Sequence, residues 1–160
     1  MAGWREVVYD GPDTRALKPR QQVWLHPEPA IVKPVLQADV RWATVWESEA
    51  MRWLEQATGL PTIRVLPVKA SADRDPRFVN GTVRSAIDRI VNTPEPPVAY
   101  ARLAMSGSLT AKAADAAQDR DENRAPTLLV AVDGALGREH VAQIAQWLLA
   151  HEEENAGGIG

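Results

Sequence analysis

Apolar positions recur along this chain with two periods, and the changes between them mark out the elements. From Pro34 to Thr58 (PVLQADVRWATVWESEAMRWLEQAT) the spacing predicts one long helix, stopped at Gly59-Leu60-Pro61. At about 100° per residue, Trp42, Trp46 and Trp53 share an arc with Val35 and Ala57. Leu36, Val40, Ala43, Met51 and Leu54 make an adjoining arc, which leaves Arg41, Ser48, Arg52 and Glu55 for water. A surface helix needs an apolar stripe only a little over about 100° wide. This one is expected to be covered twice, by its own domain and by an arm or partner.

Beyond the helix, strand and helix patterns alternate. Thr62 to Val68 (TIRVLPV) is a β-branched run with Pro67 at its end or edge, and Ala70 to Arg77 reads as a charged loop. Thr82 to Asn92 predicts a helix with Thr82 as N-cap and Val83, Ala86, Ile87 and Ile90 on one face. Thr93-Pro-Glu-Pro-Pro97 breaks it. Val98 to Met105 predicts a strand, Leu109 to Gln118 an alanine-rich helix, and Asp119 to Arg124 the end of that helix or a solvated loop. Thr127 to Val132 (TLLVAV) is apolar throughout, as a central strand covered on both faces would be. Leu136 to His151 predicts the closing helix, with Val141, Ile144, Ala145 and Leu148 inward. The alternation implies an α/β fold: a sheet of four to five strands flanked by helices. If Leu109 to Gln118 were a loop, the last two strands would pair antiparallel and the fold would be α+β.

Residues 1 to 33 differ from this body. Five of the twelve prolines lie between Pro12 and Pro34, with Trp4 and Trp24 among them. Trp4 to Tyr9 and Gln21 to Leu25 predict short strands, and His26-Pro-Glu-Pro29 an extended stretch. The expected organisation is an arm or hairpin over 1–33, one α/β domain over 34–153 and a flexible tail over 154–160. The arm should cover the tryptophan face through Trp4, Val23, Trp24 and Ile31, in its own chain or in a neighbour.

Composition narrows the function classes. A chain of 160 residues with 45% hydrophobic and 24% charged content has the make-up of a soluble globular domain. Its net charge of -3 lacks the basic footprint of a duplex nucleic-acid binder. Absence of cysteine excludes a thiol nucleophile, a thiolate metal site and a disulfide framework. Neither an apolar signal core nor a run of about 20 apolar residues is present. The expected location is the cytoplasm, or a particle assembled there.

Chemistry is sparsely marked. Glu49 falls among the tryptophans on the helical wheel, where desolvation would raise a carboxylate pKa unless Arg41, Arg52 or one of the arm residues Arg5, Lys18, Arg20 and Lys33 paired with it. Asp39 suits the start of a helix. Asp133-Gly134 follows the last strand, and Ser106, Gly107 and Ser108 follow the one before. Open α/β sheets bind ligands at such strand ends, although turn chemistry and capping by Ser108 or Thr110 account for the same residues. His26, His140 and His151 are scattered, with no metal-ligand spacing, phosphate loop or nucleophile elbow. No cofactor or metal is expected.

Two function classes follow. One is a non-enzymatic assembly protein acting through subunit contacts, with Trp4, Trp24, Trp42, Trp46, Glu49 and Trp53 at the interface of a homo-oligomer. Five of the six tryptophans precede residue 54, and tryptophan is enriched in interface hot spots. The other is a small α/β enzyme or ligand-binding domain with its site at Ser106, Gly107, Ser108 and Asp133. The order of helix, Gly-Leu-Pro, strand, long loop, strand and amphipathic last helix, over scattered parts of residues 38–150, resembles small ring-forming virion proteins such as phage tail terminators. That resemblance, which rests on no signature motif, implies a ring of copies without catalytic activity.

Overall fold

A computed structural model describes residues 3–44, 46–66, 68 and 76–157. Strand β1 (Arg5–Val8) pairs antiparallel with β2 (Gln22–Leu25). A seven-residue 3-10 turn (Pro29–Val35) follows, and then β3 (Arg41–Trp42), α1 (Ser48–Thr58) and β4 (Arg64–Val65). The second half comprises α2 (Pro76–Asn92), β5 (Tyr100–Met105), α3 (Ala111–Asn123), β6 (Thr127–Val132) and α4 (Arg138–Gly157). The expected mixture of helix and strand is present. Among the described residues, however, the strands make three sheets of two strands each, not one sheet of four to five.

The long helix expected from Pro34 to Thr58 is the largest correction. Only its second half, α1, is helical. Val40, Thr44 and the tryptophans favour extended backbone over helix, and Arg41 and Trp42 take up parallel pairing with Arg64 and Val65. Where the chain is not helical, a wheel projection means nothing. Trp42 therefore sits on a strand, Trp46 in the loop that follows and Trp53 on α1. The predicted stop holds: Gly59 is left-handed (φ 72°), and the Leu60 N–H donates to the Glu55 carbonyl at 2.9 Å, a Schellman closure.

Strand Thr62 to Val68 shrinks to Arg64–Val65 for a local reason. Pro61 carries no N–H, and the Ile63 N–H is taken by the Glu55 side chain at 3.0 Å instead of a ladder partner. Helix α2 begins at Pro76, so Thr82 lies inside it and is not its cap. A proline at the first helical position gives up no bond. The rest of the expected charged loop, residues 70–75, lies outside the described residues. Val83, Ala86, Ile87 and Val91 of α2 bury themselves with Leu66, while Val68, Ile90 and Tyr100 pack around them.

Strands β5 and β6 pair in parallel from Tyr100↔Thr127 to Met105↔Val132. Leu109 to Gln118 is largely helical, and the last two strands do not pair antiparallel. Thr110 caps α3, its side chain accepting from the Ala113 N–H at 3.2 Å. The charge run Asp119 to Arg124 is not a loop: α3 continues through Asn123. Ala113, Ala117 and Arg120 form its inward face, and small alanines let the helix approach β6 closely.

Arg120 is buried without a carboxylate partner among the bonds it makes. Its Nε donates to Asn92 Oδ1 at 2.8 Å and its Nη1 to Thr127 Oγ1 at 2.7 Å. Nη2 donates to the Val91 carbonyl at 3.1 Å and to the Val98 carbonyl, and the Tyr100 ring lies 4.9 Å from the guanidinium carbon. One cation thereby ties the end of α2, the approach to β5, α3 and β6. Burial pulls its pKa below the usual arginine value. On α4, Val141 and Ile144 are buried and Ala145 and Leu148 half-buried, as expected. The helix runs on to Gly157, and residues 158–160 lie outside the described residues.

Candidate functional site

The N-terminal segment does pack on the tryptophans of its own chain, but through residues that sequence reasoning mostly passed over. Tyr9, Leu17 and Ala50 form a buried cluster, with Val23, Trp46 and Trp53 packed against it. Tyr9 meets Trp53 edge to face at 4.8 Å between ring centroids. The Trp53 indole N–H donates to Asp10 Oδ1 at 2.6 Å, and the Tyr9 hydroxyl donates to the Pro12 carbonyl at 2.6 Å. Gly11 is forced by this packing: a Cβ there would stand 2.5 Å from the Tyr9 oxygen. Burial, and next the Glu49 carboxylate, push the Tyr9 hydroxyl above its usual value.

Of the four arm residues expected to form the cover, only Val23 belongs to that cluster. Trp4 instead stacks edge-on against His26 at 5.3 Å. Trp24 points outward, 48% exposed. Opposed residues of an antiparallel pair share a face, so Glu6 and Trp24 lie together, with Val8 diagonal to Trp24 on the outer side of the hairpin.

Glu49 is not lodged among indoles. It is exposed in the first turn of α1, on an open depression of about 410 Å3 that Asp10, Arg52, Trp53 and Gln56 also line. Among the described residues it has no ion pair. Of its expected partners, Arg5 donates to the Ala57 carbonyl at 2.9 Å and Lys18 pairs with Asp13 at 2.5 Å. The buried carboxylate is Glu55, which the helical wheel had assigned to water. It accepts from the Trp42 indole N–H at 2.9 Å and from the Ile63 N–H at 3.0 Å. Asp39 pairs with Arg41 at 3.2 Å instead of capping a helix.

The strand-end residues do converge. Parallel pairing sets the ends of β5 and β6 side by side, and the Ser106 hydroxyl donates to Asp133 Oδ1 across them. Ser106 to Ser108 form a short 3-10 turn, and Gly134 takes the left-handed φ of 79° that the Asp-Gly turn requires. Gly107 and Asp133 are exposed and Ser108 half-buried, so the pair lies open to solvent. A carboxylate that accepts from a serine hydroxyl can position hydroxyl groups or a cation. Among the described residues no three metal-ligating side chains gather.

A second surface has no counterpart in the sequence reading. Ala101, Leu103 and Met105 share one face of β5, beside Leu128, Val130 and Val132 of β6. On β6 this face is closed, with Val130 at 2% and Val132 at 3% exposure. On β5 it is open, with Leu103 at 37% and Met105 at 51%. The pairing register shows this step, because Leu103 and Met105 are as apolar in sequence as the Val130 and Val132 they face. No helix among the described residues is long and apolar enough to cross a membrane. Compared with protein-family models, with curated proteins and with solved structures, the chain matches none.

Proposed function

We propose that the chain is a non-enzymatic assembly protein that acts through contacts between copies of itself. The observation that supports this reading is the step in burial across the β5–β6 face. Parallel sheets are ordinarily covered on both faces, yet among the described residues the cover stops at β6. Among the described residues β5 has no third strand beside it, and Arg102 is the one charged side chain it carries. Leu103 and Met105 are the apolar side chains that such a contact would bury. A closed ring of copies, as in the virion proteins that the element order resembles, is one form the assembly would take.

Because the chain has no cysteine, one introduced thiol reports on this face alone. A Met105→Cys thiol should resist a bulky maleimide at high protein concentration and react on dilution. An Ala131→Cys thiol, on the exposed position of β6, should react at both. Equal reactivity of the two thiols at every concentration contradicts the proposal.

The Ser106–Asp133 hydrogen bond favours a second reading, a ligand-binding domain with its site at the carboxyl ends of β5 and β6. A small-molecule screen read by Ser106 and Asp133 amide shifts tests it. Binding that Asp133→Asn abolishes supports that reading over assembly.

A further inference from the structure

His26, just after β2, joins the N-terminal segment to the entry of α4. Its Nδ1 accepts from the Glu28 backbone N–H at 2.9 Å, and its Nε2 lies 2.7 Å from the Leu136 carbonyl oxygen. A backbone N–H can only donate and a carbonyl can only accept. The two contacts therefore fix the ring as neutral, with its proton on Nε2 donated to Leu136. Trp4 closes over the imidazole at 5.3 Å, and the 3-10 turn that follows packs on α4. The junction is completed by Arg138, which pairs with Glu28 at 2.5 Å.

We propose that His26 is a proton-operated latch: the neutral ring holds the segment 26–35 against the entry of α4, and protonation releases it. A proton on Nδ1 turns the acceptor into a donor, so that two N–H groups face each other and the Glu28 amide loses its partner. Among the described residues, the charged groups on the elements that form the junction are Glu28, Arg138, Glu139 and, on the 3-10 turn, Lys33. Glu28 Oε2 is already held by Arg138, and that guanidinium disfavours a second cation nearby.

His140, in the first turn of α4, provides the contrast. Its Nδ1 accepts from the Gly137 N–H at 2.9 Å, but Glu139 Oε1 stands 3.5 Å from the same nitrogen. A proton there exchanges one hydrogen bond for another. Protonation of the ring therefore breaks the junction at His26 and not at His140.

Nitrogen-detected NMR of the full chain tests this independently of assembly, since the readout lies within one chain. At pH 8 the His26 Nδ1 should carry no proton. Between pH 8 and pH 5, amide exchange at Glu28, corrected for its intrinsic pH dependence, should rise by at least about tenfold. In His26→Asn the side-chain oxygen supplies a non-titrating acceptor, and the rise should vanish. In His140→Asn it should persist. A proton on Nδ1 at pH 8 would overturn the proposal. So would full protection of Glu28 at pH 5 with the ring protonated, or a response lost in His140→Asn and kept in His26→Asn. Should His26→Asn fail to fold, the wild-type titration decides alone.

Discussion

The Trp42 indole N–H donates to Glu55 Oε1 at 2.9 Å, and that same oxygen accepts from the Ile63 N–H at 3.0 Å. Glu55 is only 4% exposed, and it joins β3, α1 and the approach to β4 through one atom. Glu55→Ala leaves two donors without a partner, at about 1–3 kcal/mol for each one that stays buried. Glu55→Gln keeps an acceptor and should cost far less. Urea unfolding of the two variants checks the ordering.

Arg120 makes a sharper case. Arg120→Met keeps much of the length but withdraws the donors from Asn92, Thr127 and the Val91 and Val98 carbonyls. The expected loss exceeds about 3 kcal/mol, in the range seen when buried polar networks are broken. Arg120→Lys should recover little, because one ammonium cannot span acceptors set out for a planar fork. Thermal unfolding of both variants tests this.

At Tyr9 the prediction concerns alkaline pH. The folded hydroxyl titrates above its unfolded value of about 10. Its contribution is therefore full below pH 10 and is lost as pH rises through the folded value, where the unfolded chain gives up its proton first. Tyr9→Phe should flatten that alkaline decline in a pH series of unfolding free energies. Gly11→Ala drives a methyl into the Tyr9 oxygen and should cost about 1–3 kcal/mol.

The pair at the strand ends is expected to be tolerant. Asp133→Asn still offers an oxygen to the Ser106 hydroxyl, and an exposed change of this kind should cost under about 1 kcal/mol. A larger loss on unfolding would mean that Asp133 does more than orient one hydroxyl.

How much of this was legible depended on whether local pattern or pairing decides the conformation. Thr127 to Val132 was readable as a strand, and α4 by its inward face, because a long, uniform pattern admits one period. So was the stop at Gly59, where only a left-handed residue closes the helix. That β6 is half of a two-stranded sheet with Ala131 exposed, and not a central strand covered on both faces, was not readable. Trp42 was not, since an apolar residue at helical spacing is equally at home on a strand and its pairing with Val65 is remote in sequence. Placing Glu49 among indoles and Glu55 in water both followed from carrying one wheel back from α1 through residues 36–44, which are not helical. Ser106 and Asp133 could be set at neighbouring strand ends from sequence, but their hydrogen bond needed the parallel register. Arg120 looked like one charge in a solvated run, because burial of an arginine depends on acceptors that α2 and β6 bring from elsewhere.

The central claim is that copies of the chain meet over the open face of β5, and sedimentation velocity over a concentration series tests it most directly. Wild-type protein is expected to sediment as a defined oligomer that dissociates on dilution. The double variant Leu103→Glu/Met105→Glu should stay monomeric with its fold intact by circular dichroism. A wild-type chain that is monomeric at every concentration, or a folded double variant that keeps the oligomer, contradicts the claim.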